Sequence, residues 1–181
     1  DLALSLPRAL SNGPSGAPLL LLAPRRTESW DEAERRAVAA GLRVIRRSRP
    51  ASAGPADVFL LDTLGELASA YRLGDVALLG GTFGRRGGHN VLEPLLASLP
   101  VVLGPSVWNI RRTVEAAGAA VVAVPDAEAV APALARLLDD PAARETARDA
   151  ANALFAKHRG ATERTVKLAL GLLGNPPGET P

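Results

Sequence analysis

The sequence predicts an α/β protein built on a doubly wound parallel sheet, and three observations carry that expectation. Short apolar runs, rich in leucine or valine, alternate along the chain with stretches whose apolar residues recur at helical spacing. The runs lack the apolar-polar alternation of a sheet with one wet face, so they read as strands covered on both sides. Glycines stand at Gly41, Gly74 and Gly118, where a helix needs a left-handed terminator before the next strand.

Taken in order, residues 1–17 read as a linker or the remnant of an upstream region, because SNGPSGAP at 11–18 is too rich in Gly and Pro for a regular element. The domain proper is expected over 18–173. Strands are expected at Leu19–Ala23, Leu42–Arg46, Val58–Asp62, Asp75–Gly80, Pro100–Gly104 and Ala119–Val124. Between them ESWDEAERRAVAAG, LGELASAYRLG, NVLEPLLASL and IRRTVEAAG read as crossover helices. After Val124 the pattern is helical only: PDAEAVAPALARLLDD opens with a proline and an aspartate suited to a helix start, and 141–173 continues as amphipathic helix with a break near Gly160. Residues 174–181, GNPPGETP, are expected as a disordered tail.

Composition bounds the function. A chain of 181 residues, 47% hydrophobic and 22% charged, can bury one substantial core. A net charge of +2 with scattered arginines gives no nucleic-acid footprint. The absence of cysteine removes disulfides, thiolate chemistry and cysteine-ligated zinc. No apolar run approaches the roughly 20 residues that cross a bilayer, so the chain is expected to be soluble. With no methionine and a start at Asp1, it is expected to be a processed product or one domain of a longer protein.

In an open α/β sheet, ligands bind beyond the carboxyl ends of the strands. The loop after the fourth strand, GGTFGRRGGHNVLEP, is the most unusual of those here. Gly80, Gly81, Gly84, Gly87 and Gly88 let backbone N–H groups approach a ligand, Arg85 and Arg86 add positive charge, and a helix start follows. Phosphate is the economical ligand. Glu93, in the first turns of that helix, can accept hydrogen bonds from a vicinal diol such as ribose, and phosphate with diol means nucleotide. A tight strand-to-helix turn with no ligand remains the competing reading. The stretch matches neither the GxGxxG fingerprint nor a P-loop, no GxSxG elbow is present, and His89 and His158 have no metal-ligand spacing.

These residues also carry a family resemblance. DTLGEL (62–67), LLGGTF (78–83), GGHNVLEP (87–94) and GPSVWN (104–109), in this order, resemble the C-terminal domain of the bacterial 3-deoxy-D-manno-octulosonic acid (Kdo) transferases, over about residues 19–170. The resemblance implies the donor-binding, Rossmann-like half of a two-domain (GT-B) glycosyltransferase acting in lipopolysaccharide assembly at the cytoplasmic face of the bacterial inner membrane. The donor would be CMP-Kdo and the acceptor lipid A, engaged by an N-terminal domain that also supplies the catalytic base. No metal or further cofactor is implied.

Position by position, the resemblance gives Arg25 to the donor's phosphate or carboxylate. It gives Leu64, Gly65 and Glu66 to a loop framing the cytosine, and Gly81 and Thr82 to the family's GGS position. Gly87, Gly88, His89 and Asn90 would meet phosphate and sugar, Glu93 would hold the ribose hydroxyls, and Asn109 matches the asparagine of GPxxxN. The chain departs from the family's PRHPER at Arg26 and Thr27, and from its GPH at Ser106. Those departures lie near the expected donor pocket. Two rival readings stand beside the resemblance: a GT-B transferase or epimerase acting on a UDP- or GDP-sugar, and a non-catalytic Rossmann-like module used for partner binding.

Overall fold

The computed structural model describes residues 2–14, 16–49 and 54–173. The chain enters through a helix, α1 (Leu2–Ala9), where a linker was expected. Leu6 and Leu10 explain the difference: both are buried in a core cluster with Val102, Val130 and Leu134. Burying two leucines stabilises by about 1.5–3 kcal/mol each, which fixes a short helix that local propensity does not announce.

All six expected strands form, each inside its apolar run, and all neighbours pair in parallel. β1 (Leu20–Leu22), β2 (Val44–Arg46) and β3 (Val58–Leu60) make one sheet in the order β1-β3-β2, with both Leu20 and Val44 opposite Val58. β4 (Ala77–Leu78), β5 (Val101–Leu103) and β6 (Val121–Ala123) make a second in the order β4-β5-β6. The expected single sheet is thus two three-stranded parallel pieces. Parallel neighbours need crossovers: α4 (Leu92–Leu96) and α5 (Arg111–Ala117) supply those of the second sheet, while α2 (Trp30–Ala39) leads from β1 to β2 and α3 (Leu67–Ala70) carries the chain from the first sheet to the second.

The core divides about β5. Its alternate side chains point to opposite faces. Val101 and Leu103 join Val91, Leu95 and Ala120 on one side, while Val102 joins Leu6, Leu134 and Leu137 on the other. Beyond β6 the chain is helical, as expected: α6 (Val130–Asp139), α7 (Pro141–His158) and α8 (Ala161–Leu172). Asp140 caps α7 by accepting from the N–H groups of Ala142 and Ala143, both at 3.0 Å, with Pro141 at the first helical position. Ala151 and Leu154 of α7 close one core cluster. The predicted break at Gly160 is a left-handed turn, φ +72°, after which α8 stands with no buried residue. The expected tail, 174–181, lies outside the described residues. Among the described residues no helix is long and apolar enough to cross a membrane.

Gly41 and Gly118 have the positive φ expected of terminators, at +74° and +51°. Gly74 does not. It follows a 3-10 turn, Tyr71–Leu73, and is extended at φ −91°, ψ 159°. Parallel pairing then fixes where the loops emerge: 23–29 and 61–66 leave the carboxyl edge of the first sheet, and 79–91 and 104–110 leave that of the second.

Candidate functional site at the strand carboxyl edge

The glycine-rich loop after β4 is a tied structure. Gly88 N–H donates to the Gly81 carbonyl (3.1 Å), Ser106 N–H donates to the Thr82 carbonyl (2.9 Å), and the Asn109 amide donates to the Gly88 carbonyl (3.0 Å). Beneath the loop, the Thr82 hydroxyl donates to the Leu79 carbonyl and accepts from Gly104 N–H, both at 2.8 Å. Thr82 is fully buried, and its hydroxyl joins the loops after β4 and β5. Gly88 is required twice over: its φ is +89°, and a Cβ there would lie 2.7 Å from Ile110 Cδ1. At Gly87 the Trp108 indole occupies the space a Cβ would need, while most of that indole stays exposed.

His89 lies across this loop, its Nε2 3.1 Å from where a Cβ on Gly81 would be. Burial, and then the charges of Arg25 and Arg86, hold its pKa below the usual 6.5, so the imidazole is neutral at pH 7. This effect also shows that the loop after β1 comes within electrostatic reach of the loop after β4. Arg25 and Arg86 are exposed and have no ion pair among the described residues, which leaves their charge available to an anion. The expected contribution from the helix dipole shrinks, because α4 has only five residues and its first N–H, that of Leu92, already donates to Asn90 Oδ1 (3.0 Å). Asn90 also donates from Nδ2 to Glu93 Oε1 (2.9 Å), which aims the carboxylate. Burial and the charge of Glu93 raise the pKa of the Tyr71 phenol, which places the 3-10 turn after α3 beside Glu93.

Leu64, Gly65 and Glu66 form a separate arch at the end of β3. Leu64 is 75% exposed and Gly65 has φ +81° with open space around it. Glu66 accepts from the Thr63 hydroxyl and, at 2.9 Å, from Arg47 Nη2. Those partners, Thr63 foremost, lower its pKa and keep it charged.

The structure therefore gathers Arg25, Gly81, Gly87, Gly88, His89, Asn90, Glu93 and Asn109 around one loop and places Thr82 under it. Trp108 is the residue the sequence reading passed over. The signal was present, since it is one of two tryptophans and directly precedes Asn109. Among the described residues no group of three or more histidine, aspartate or glutamate side chains is placed to hold a metal ion.

Over 162 residues the chain is 44% identical to the 3-deoxy-D-manno-octulosonic acid transferase of Bordetella pertussis, covering 87% of this chain and 38% of that protein. The enzyme of the same name from Haemophilus influenzae is 34% identical over 155 residues, 83% of this chain and 36% of its own length. The chain belongs to the 3-deoxy-D-manno-octulosonic acid transferase family. Its fold is similar to the crystal structure of the C-terminal CMP-Kdo binding domain of WaaA from Acinetobacter baumannii, with a TM-score of 0.75 and 29% identity, over 85% of this chain and 83% of that one. No protein-family model matches the chain. It spans less than two fifths of the length of these two transferases. Where it departs from the transferase pattern, Arg26 and Thr27 are exposed on a loop whose start is held by Trp30 Nε1 donating to the Pro24 carbonyl (3.1 Å).

Proposed function

We propose that this chain is the donor-binding part of a Kdo transferase and that the loop after β4 receives CMP-Kdo. The observation that carries the reading is the grouping of Arg25, Arg86 and a neutral His89 around a glycine loop, with Glu93 aimed by Asn90. In this reading the nucleotide phosphate lies against the loop N–H groups and the two arginines. Glu93 accepts from the ribose hydroxyls, and the Leu64–Glu66 arch frames the cytosine. The CMP-Kdo binding named for the similar Acinetobacter baumannii domain supports the choice of nucleotide.

The reaction follows from where charge develops. Displacement at the anomeric carbon of the donor sugar, with inversion, releases CMP, and its growing negative charge is stabilised by Arg25, Arg86 and the loop dipoles. No step in this reaction uses a metal. The acceptor hydroxyl needs a general base. Glu93 is oriented toward the ribose and Glu66 is engaged by Arg47 and Thr63, so the base is assigned to the part of the longer transferase that lies outside this chain. That part would also hold lipid A at the cytoplasmic face of the inner membrane.

Calorimetry of the chain against CMP, UMP, GMP and ADP tests the assignment. CMP is expected to bind best, with no sugar transfer by the chain alone. Binding of another nucleotide with none of CMP at millimolar concentration would overturn it.

A further inference from the structure

The end of β2 has no part in the site so far, yet it carries the densest set of charge contacts in the described structure. Arg46 is buried and reaches three carboxylates: Asp62 at 2.6 Å, Asp31 at 2.5 Å and Glu34 at 2.8 Å. Asp62, nearly inaccessible, also accepts from the Ser48 N–H (2.9 Å) and from the Ser48 hydroxyl. The residue that follows β2, Arg47, holds Glu66 at 2.9 Å.

These contacts share one geometry. Asp62 and Glu66 are the two feet of the arch whose apex is Leu64 and Gly65. Three consecutive residues, Arg46, Arg47 and Ser48, hold both feet. The backbone adds to this, since Arg47 N–H donates to the Leu60 carbonyl (2.9 Å) just before the arch. Meanwhile the apex is largely bare: Leu64 is mostly exposed and the space beside Gly65 is open. A rigidly footed arch with a bare apolar apex has little use in packing its own domain. It does suit a flat apolar ligand, because ordering a loop before binding removes an entropic cost from the binding step.

We infer that Arg46, Arg47 and Ser48 are positioning residues that pre-set the Leu64–Gly65 apex for the nucleobase. This rests on the reading that the arch frames the base. None of the three touches the nucleotide. They act through Asp62 and Glu66. The Arg46 foot is buried, so replacing Arg46 by alanine would leave the Asp62 carboxylate buried without its cation and threaten the fold itself. Arg47 is half-exposed and its pair with Glu66 is a surface pair. Its loss should release one foot without unfolding the domain.

The test compares CMP with ribose 5-phosphate, which has the phosphate and the sugar but no base, in calorimetry on the whole chain. Arg47→Ala is expected to weaken CMP binding by about two- to fivefold, the range an exposed ion pair can supply. Ribose 5-phosphate affinity and the melting temperature should not change. Arg47→Lys should restore part of the CMP affinity, and Ser48→Ala should act in the same base-dependent direction. A variant that weakens both ligands equally, or neither, overturns the inference and leaves the nucleotide site standing. If Leu64→Ala leaves CMP binding untouched, or if the unsubstituted chain binds neither ligand, the reading on which the inference rests fails with it.

Discussion

The glycines of this chain allow two contributions, backbone conformation and packing, to be measured separately with one substitution, glycine to alanine. Gly84 has neither a positive φ nor a neighbour within 4 Å of a built Cβ. Gly65 has φ +81° and open space, so it isolates the backbone contribution. Gly104 has ordinary φ, but its Cβ would lie 2.7 Å from the Phe83 ring and 2.7 Å from the Thr82 carbonyl oxygen, so it isolates packing. Gly88 combines φ +89° with the 2.7 Å approach to Ile110. A left-handed backbone costs an L-residue about 1–2 kcal/mol, and forcing a methyl into a packed site about 1–3 kcal/mol. Gly88→Ala should therefore lose roughly 2–5 kcal/mol, a fall in Tm on the order of 4–20 °C for a domain of this size. Gly65→Ala and Gly104→Ala should each show one part of that, and Gly84→Ala should stay within about 0.5 kcal/mol of the parent. Urea unfolding followed by circular dichroism gives all four differences on one scale. If Gly88→Ala costs no more than Gly65→Ala, the packing argument for the loop is refuted. A Gly84→Ala loss as large as that of Gly88→Ala would refute the backbone argument too.

Two further outcomes follow from the geometry. Glu93→Gln should weaken CMP binding roughly tenfold by removing charge-assisted hydrogen bonds. It should also remove most of the preference for CMP over 2′-deoxy-CMP, with calorimetry of the four combinations as the readout. Stability should fall in acid. Hydrogen bonds from Arg43 hold Asp57 at about 2, and at Asp62 the opposing effect of burial is outweighed by Ser48 and Arg46, again giving about 2. Unfolded aspartates titrate near 3.9, about two units higher. The unfolded chain thus takes protons first, and the contribution of these groups is present above about pH 4 and lost as pH falls toward 2. The urea midpoint should be flat from pH 5 to 7 and drop below about pH 4, and Asp62→Asn should make that drop shallower.

What the sequence allows and hides has physical reasons. All six strands were legible because each is a short apolar run bounded by polar or turn-forming residues, although the expected cover on both faces is complete only at β5, and β6 ends on an exposed residue. α1 was not, since its stability comes from Leu6 and Leu10 meeting residues more than ninety positions away. The helix after the glycine loop reads as ten residues and forms as five, because Asn90 stands outside it and accepts from the first N–H, and Ser98 takes a positive φ just beyond its end. The glycine loop, Glu93 and Asn109 stood out by residue type. The burial of Thr82 did not, because its two partners, at Leu79 and Gly104, are backbone groups that no side-chain pattern records. The Arg46 cluster was equally hidden, joining positions 31, 34, 46 and 62 that only the fold brings together.

The bridge made by Thr82 also constrains which sequences this loop can explore. Its hydroxyl serves two backbone groups, a task serine performs as well, but threonine brings a methyl group whose Cγ2 would stand 3.2 Å from any Cβ at position 88. The two sites are therefore not independent. With threonine at 82, position 88 is confined to glycine by three neighbourhoods at once: its own torsion, Ile110 and that methyl. With serine, one of the three is lifted, so a replacement at 88 is tolerated better in a Thr82→Ser background than in the present one. The order in which such a pair of changes is acquired then decides how much stability the intermediate protein loses.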